Sequence, residues 1–193
     1  MELAQLKEFS IAIPSQRVAF DRISKCASQS IMLAFMQAVK ARNGGQMVFA
    51  REWIEPGPGW RIATLVRDPA DRLLSGYTNR IAIDRMSIEP MPGVELGMPL
   101  PDFVDAVCAL PDSALDLHFK PQSHFARRDY TAILKFENIP GCWDKYRDSI
   151  PSVGLPPLQH RNASKRRDVM SPELRRKIFN RYAADAARFG YEA

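Results

Sequence analysis

The sequence predicts an α/β fold, a three-layer domain whose mostly parallel sheet is flanked by helices. Three observations predict it. Short apolar runs of strand length alternate with longer segments whose apolar residues recur at helical spacing. Two of those runs pass without interruption into a polar turn and then a helix. Third, 193 residues that are 46% hydrophobic and 25% charged supply the core of one compact domain, 1–193, rather than of two. Strands and helices in alternation favour a parallel sheet covered on both faces.

The elements follow in order. Arg17 to Ile23 reads as a buried strand, Ser24 to Gln29 as a small polar loop, and Ile31, Phe35, Ala38 and Val39 as one face of a helix that stops near Gly44-Gly45. Gln46 to Ala50 has the length and content of a second strand, Glu55 to Gly59 is a turn, and Arg61 to Val66 is a third strand. Asp68 then suits an N-cap and Pro69 the first helical position, with Leu73, Tyr77 and Ile81 as the buried stripe. Ser87 to Pro101, dense in Pro, Gly and Met, reads as a long surface loop at a substrate mouth. Phe103 to Leu110 is a helix, Tyr130 to Phe136 a strand, and Trp143 to Ile150 a helix ended by Pro151. Ser171-Pro-Glu opens one terminal helix carrying Leu174, Ile178 and Tyr182 on one face, with a solvated basic face of Arg175, Arg176, Lys177 and Arg181.

Composition narrows the function classes. The longest apolar run, Ile31 to Met36, is far below the roughly 20 residues of a membrane span, so no transmembrane segment is expected. The start, Met1 to Ser10, lacks the pattern of a secretory signal, and the expected location is cytoplasmic. Three widely spaced cysteines argue against disulfides and a zinc site. The net charge of +5 points to anionic partners, and the scatter of basic residues favours a discrete anion site over a nucleic-acid footprint.

Two constellations carry chemistry. In Ile23-Ser-Lys-Cys-Ala-Ser-Gln-Ser30, small residues between a strand end and a helix start allow backbone N–H groups to converge on a phosphate, and Lys25 adds a mobile positive charge. Cys26 follows the lysine where a kinase or GTPase loop has a metal-binding hydroxyl, and no glycine precedes it. A cradle without a magnesium ligand suits a transferred group that carries less charge than a γ-phosphate, such as sulfuryl. In Leu65-Val-Arg-Asp-Pro-Ala-Asp-Arg-Leu-Leu-Ser-Gly-Tyr77, Arg67 leaves the third strand and Ser75 lies two turns into the next helix, where the two can pinch a second phosphate. The plain alternative is that Arg67 pairs with Asp71 and Ser75 is an ordinary helix-surface residue.

Together these segments resemble the sulfotransferases that use 3′-phosphoadenosine 5′-phosphosulfate (PAPS), the carbohydrate sulfotransferase type with its Golgi members and bacterial relatives. Ser24 to Ser30 resembles the family's phosphosulfate loop, usually P-K-C-A-S-T-S, with Ser24 in place of Pro and Gln29 in place of Thr. Val66 to Tyr77 resembles its 3′-phosphate motif. His118 to Gln122, Lys135 to Ile139, His160 to Ser164 and Tyr182 to Tyr191 resemble further landmarks in the same order. The resemblance implies a P-loop-like nucleotide-binding sulfotransferase fold, PAPS as donor with 3′,5′-bisphosphoadenosine as product, no metal, and a carbohydrate hydroxyl as acceptor. It implies that Lys25 contacts the phosphosulfate bridge and that Cys26, Ala27, Ser28, Gln29 and Ser30 supply amide and hydroxyl donors. Arg67 and Ser75 would hold the 3′-phosphate, and Asn162, Ser164 and Lys165 a loop that closes over the nucleotide.

For the base that takes the acceptor proton, relatives use a Glu or His after the strand following the first helix, which points to Glu52. His118 comes next, with His124, since a neutral imidazole accepts a proton near pH 7. Two other readings stay open: a P-loop-like kinase in which Asp68 holds magnesium, and a basic nucleic-acid-binding module using Arg166, Arg167 and the last helix.

Overall fold

The computed structural model describes residues 10–41, 47–50, 57–82, 88–126, 128–158 and 170–193. In chain order the elements are β1 (Ser10–Ile13), β2 (Val18–Asp21), α1 (Ser28–Ala41), β3 (Val48–Ala50), β4 (Arg61–Val66), α2 (Pro69–Arg80), α3 (Leu100–Ala109), β5 (Ala132–Lys135), α4 (Gly141–Ser149), α5 (Pro172–Arg181) and α6 (Ala183–Phe189). They fall into two compact units, one of residues 1–66 and 125–161, the other of residues 67–124 and 162–193.

The first unit holds a five-stranded sheet in the order β3-β1-β2-β4-β5. β2, β4 and β5 pair in parallel, with Phe20 opposite Ala63 and Leu65 opposite Leu134. β1 runs antiparallel to both β2 and β3. Four of the five strands thus share one direction, in a mixed α/β architecture. β1 is the departure from the sequence reading, and the cause is local. Pro14 opens a 3₁₀ turn, Arg17 closes it in the left-handed region (φ 51°), and the chain reverses within four residues instead of crossing over. Every residue of β1 and β2 is buried, as expected of strands covered on both faces. Phe20 lies at the centre of this core, edge-on to Phe35 (centroids 6.0 Å) and Tyr146 (5.9 Å) and tilted against Trp143 (6.3 Å).

In the second unit the stripe of α2 packs as its periodicity requires. Leu73, Tyr77 and Ile81 are buried with Phe103 and Val107 of α3, Phe119, and Ile178 and Phe179 of α5. The segment before α3 is less of a surface loop than expected, because Met91 is buried and the Met98 carbonyl accepts from the Tyr77 hydroxyl (2.9 Å). The expected single terminal helix is two. Tyr182 leaves helical geometry (φ −108°, ψ 33°) while its buried hydroxyl donates to the Phe119 carbonyl (2.5 Å), and α6 restarts after it. Nor is the basic face of α5 simply solvated. Arg175 grips Asp68, Lys177 pairs with Asp105, and Arg181 reaches Asp112 and the carbonyls of Val107 and Leu110.

Gly76 marks the tightest approach in this unit, since a Cβ there would sit 2.6 Å from Cε1 of Phe119. Gly→Ala inside a helix ordinarily stabilises by up to about 1 kcal/mol. At position 76 the sign reverses. Gly76→Ala is expected to destabilise by roughly 1–3 kcal/mol through overpacking, measured by urea unfolding.

Candidate functional site

The segment expected to be a phosphate loop is shaped by its backbone geometry. β2 ends at Asp21, and within the next six residues Lys25 (φ 69°) and Ala27 (φ 50°) adopt the left-handed region that L-residues avoid. Cys26 between them does not, so the hand alternates along the loop. Alternation of this kind is the backbone pattern from which anion nests are built. Each left-handed non-glycine residue costs about 1–2 kcal/mol, which the surrounding contacts have to offset. α1 follows at once. Its ladder opens with the Ile31 N–H on the Ala27 carbonyl (3.0 Å), so the amides of Ser28, Gln29 and Ser30 form the first turn, at the positive end of the helix dipole. Lys25 and Ser28 are half-buried and Gln29 is exposed. Cys26, expected among the amide donors, instead turns its N–H to the Ile23 carbonyl (3.2 Å) and buries its thiol. It closes the loop from below.

A support that the sequence reading missed lies under this loop. Asp21 is fully buried and accepts from the Ser10 hydroxyl (2.5 Å), the Tyr130 hydroxyl (2.8 Å) and Nε of Arg128 (3.0 Å). The Thr64 hydroxyl donates to its backbone carbonyl (2.9 Å). Burial pushes the Asp21 pKa up, and the Ser10, Tyr130 and Arg128 contacts pull against that. The visible signal was a carboxylate closing an otherwise apolar run, Val-Ala-Phe-Asp21.

In the second unit, Asp68 caps α2 as expected, its Oδ1 accepting from the amides of Ala70 (2.9 Å) and Asp71 (3.0 Å). The same carboxylate takes both Nη atoms of Arg175, at 3.2 and 2.6 Å. Arg67, just before it, is half-buried, with its N–H and carbonyl bonded to the side chain of Gln122. Ser75, also half-buried, stands two turns along α2, about 10 Å from the cap. Its carbonyl accepts from Asn79 Nδ2 (2.7 Å). These contacts weigh against both alternative readings. The Asp68 oxygens are committed to a helix cap and an arginine rather than presented to a metal, and three cations of α5 are committed to carboxylates.

His118 lies at the other end of α2. Its Nδ1 meets Asp116 Oδ1 (2.6 Å) and its Nε2 meets Arg80 Nη2 (2.8 Å). Arg80 only donates, so Nε2 is the acceptor and Nδ1 carries the proton. Asp116 also accepts from the His118 amide (2.8 Å) and the Glu89 amide (2.9 Å), which ties the segment before α3 to this cluster. About 18 Å of helix separates Arg80 from the Asp68 cap. Glu52, Asn162, Ser164 and Lys165 lie outside the described residues. Among the described residues, no group of three or more His, Cys, Asp or Glu side chains is placed to hold a metal ion, and no helix is long and apolar enough to cross a membrane.

Residues 59–192 match the model of the sulfotransferase family. The chain belongs to the sulfotransferase family. That membership makes it a transferase of the sulfuryl-transfer class, and the match covers the Arg67–Ser75 motif, the Asp116–His118 cluster and both terminal helices. The segment 24–30 precedes the matched region. No curated protein and no solved structure matches the chain.

The His118 cluster yields a pH dependence. Burial, the largest single influence, raises the Asp116 pKa, but the hydrogen bonds from His118 and Glu89 together hold it below its ordinary 3.8. A carboxylate depressed in the folded state stabilises above its unfolded pKa, and that contribution is lost as pH falls through the folded value. The gap in unfolding free energy between wild type and Asp116→Asn is therefore expected to shrink as pH is lowered from about 5 toward 2, followed by urea unfolding at each pH.

Proposed function

We propose that the chain moves a sulfuryl group from PAPS to a hydroxyl of a carbohydrate acceptor, in one catalytic domain with a P-loop-like nucleotide site. The observation that carries this reading is the left-handed backbone at Lys25 and Ala27 just before the N-terminus of α1, a pattern that suits an anion. Family membership supports sulfuryl as the transferred group. The donor and the acceptor class rest on the motif resemblance.

Ala27, Ser28, Gln29 and Ser30 hold the 5′-phosphate side, Arg67 and Ser75 hold the 3′-phosphate, and Asn162, Ser164 and Lys165 close over the nucleotide. When bound, the nucleotide supplies the sulfuryl group, whose sulfur–oxygen bond to the 5′-phosphate breaks as the bond to the acceptor oxygen forms. Lys25 and the first-turn amides of α1 stabilise the negative charge that builds on that phosphate oxygen. Glu52, beyond the end of β3, takes the acceptor proton. His118 is the second choice, since its Nε2 serves as a base only once Arg80 withdraws.

Calorimetry in EDTA is expected to detect tight binding of 3′,5′-bisphosphoadenosine that ATP with Mg²⁺ displaces poorly. Tighter binding of Mg-ATP would move the protein to the kinase reading. In turnover assays, Lys25→Ala is expected to cost more in rate than in nucleotide affinity, because the lysine gains interaction as the bond breaks. Glu52→Gln is expected to slow turnover by about 10²- to 10⁴-fold at unchanged nucleotide affinity. A near-normal Glu52→Gln beside an inactive, nucleotide-binding His118→Ala would transfer the role of base to the histidine.

A further inference from the structure

A primary amide side chain presents an acceptor and a donor side by side, the same pair that a peptide edge offers to a neighbouring strand. Gln122, 0% exposed, uses both on one residue. Its Oε1 accepts from the Arg67 N–H (2.9 Å) and its Nε2 donates to the Arg67 carbonyl (2.7 Å). β4 ends at Val66, so this side chain takes hold of the backbone at the first residue beyond the strand.

Gln122 is itself held from behind. Its N–H and that of Ser123 donate to the two oxygens of Asp185, at 2.6 and 2.8 Å. Asp185 is also 0% exposed and lies in the first turn of α6. The preceding backbone is gripped twice more, the Phe119 carbonyl by the Tyr182 hydroxyl (2.5 Å) and the Lys120 carbonyl by Nη1 of Arg72 (2.8 Å). A buried polar chain thus runs from Asp185 through Gln122 to the peptide of Arg67. Buried groups bonded at each step tolerate little displacement.

From this chain we infer that Gln122 is a positioning residue for nucleotide binding, one that fixes the backbone from which Arg67 reaches the 3′-phosphate, with Asp185 setting Gln122. The inference rests on the reading of Arg67 as the 3′-phosphate ligand. An arginine on a fixed backbone meets an anion without first ordering its own main chain, so the affinity gained by this pre-organisation belongs to the 3′-phosphate alone. A residue serving only the fold affects ligands with and without that phosphate alike.

The test compares 3′,5′-bisphosphoadenosine with 5′-AMP, which lacks the 3′-phosphate, by calorimetry on the full chain. Gln122→Met keeps the length and removes both bonds. It is expected to weaken bisphosphoadenosine about 10-fold and 5′-AMP less than about 2-fold. Added to Arg67→Ala, it is expected to bring no further loss, because it acts through the side chain already removed. Equal losses for both nucleotides, no loss for either, or losses that multiply in the double variant would each overturn the inference. Should Gln122→Met fail to fold, Asp185→Asn replaces it, with an expected selective loss of about 3-fold judged by the same three outcomes. If Arg67→Ala alone leaves the ratio of the two affinities unchanged, the 3′-phosphate reading falls and this inference with it. If Arg67→Ala is selective and Gln122→Met is not, the inference falls alone.

Discussion

A loop that turns left-handed at two non-glycine residues keeps its shape only while its surroundings hold it, and the first unit is arranged around that constraint. The strain at Lys25 and Ala27 is offset on one side by α1, whose buried Ile31 and Phe35 fasten the helix that the loop must enter. On the other side Asp21 fixes the end of β2 through the Ser10, Tyr130 and Arg128 contacts. Glycines would make the same turns at lower cost but would leave the loop free to make others. The chain trades stability for a fixed loop shape.

The second unit solves a related problem differently. Arg67 and Ser75 lie in ordinary backbone, and what fixes them is a set of buried carboxylates and one amide. Asp68 starts α2 and takes a bidentate arginine, while Asp185 caps the turn that carries Gln122. Gly76 lets Phe119 pack directly against α2. Here polar satisfaction in a dry interior does what backbone strain does in the first unit.

Much of this was legible in the residues. The limits of β4 and the Asp68 cap with Pro69 follow from local rules and agree with the structure to the residue. The stripe Leu73, Tyr77, Ile81 follows from periodicity. β1 was not legible, and its direction depends on a turn whose left-handed Arg17 carries no sequence mark. The break at Tyr182 was hidden for a related reason, since helical spacing continues across it while a tertiary bond to Phe119 interrupts the backbone. In the candidate site, small residues around Lys25 announced the loop. The pairing of His118 with Arg80 and the supports Gln122 and Asp185 are long-range contacts that no local pattern encodes, and the inward turn of the Cys26 amide depends on the left-handed Lys25, which carries no sequence mark.

The bond between Arg175 and Asp68 spans 107 residues of chain, and that between Asp185 and Gln122 spans 63. During synthesis, at roughly 5–20 residues per second, Arg67 therefore emerges several seconds before the groups that secure its neighbourhood. In that interval the cap of α2 and the amide clamp lack their distant partners, and the apolar faces of α2 and α3 lack the cover of Ile178 and Phe179. The second unit thus packs only once α5 and α6 have been made, and until then the apolar faces of α2 and α3 stay open to off-pathway contacts.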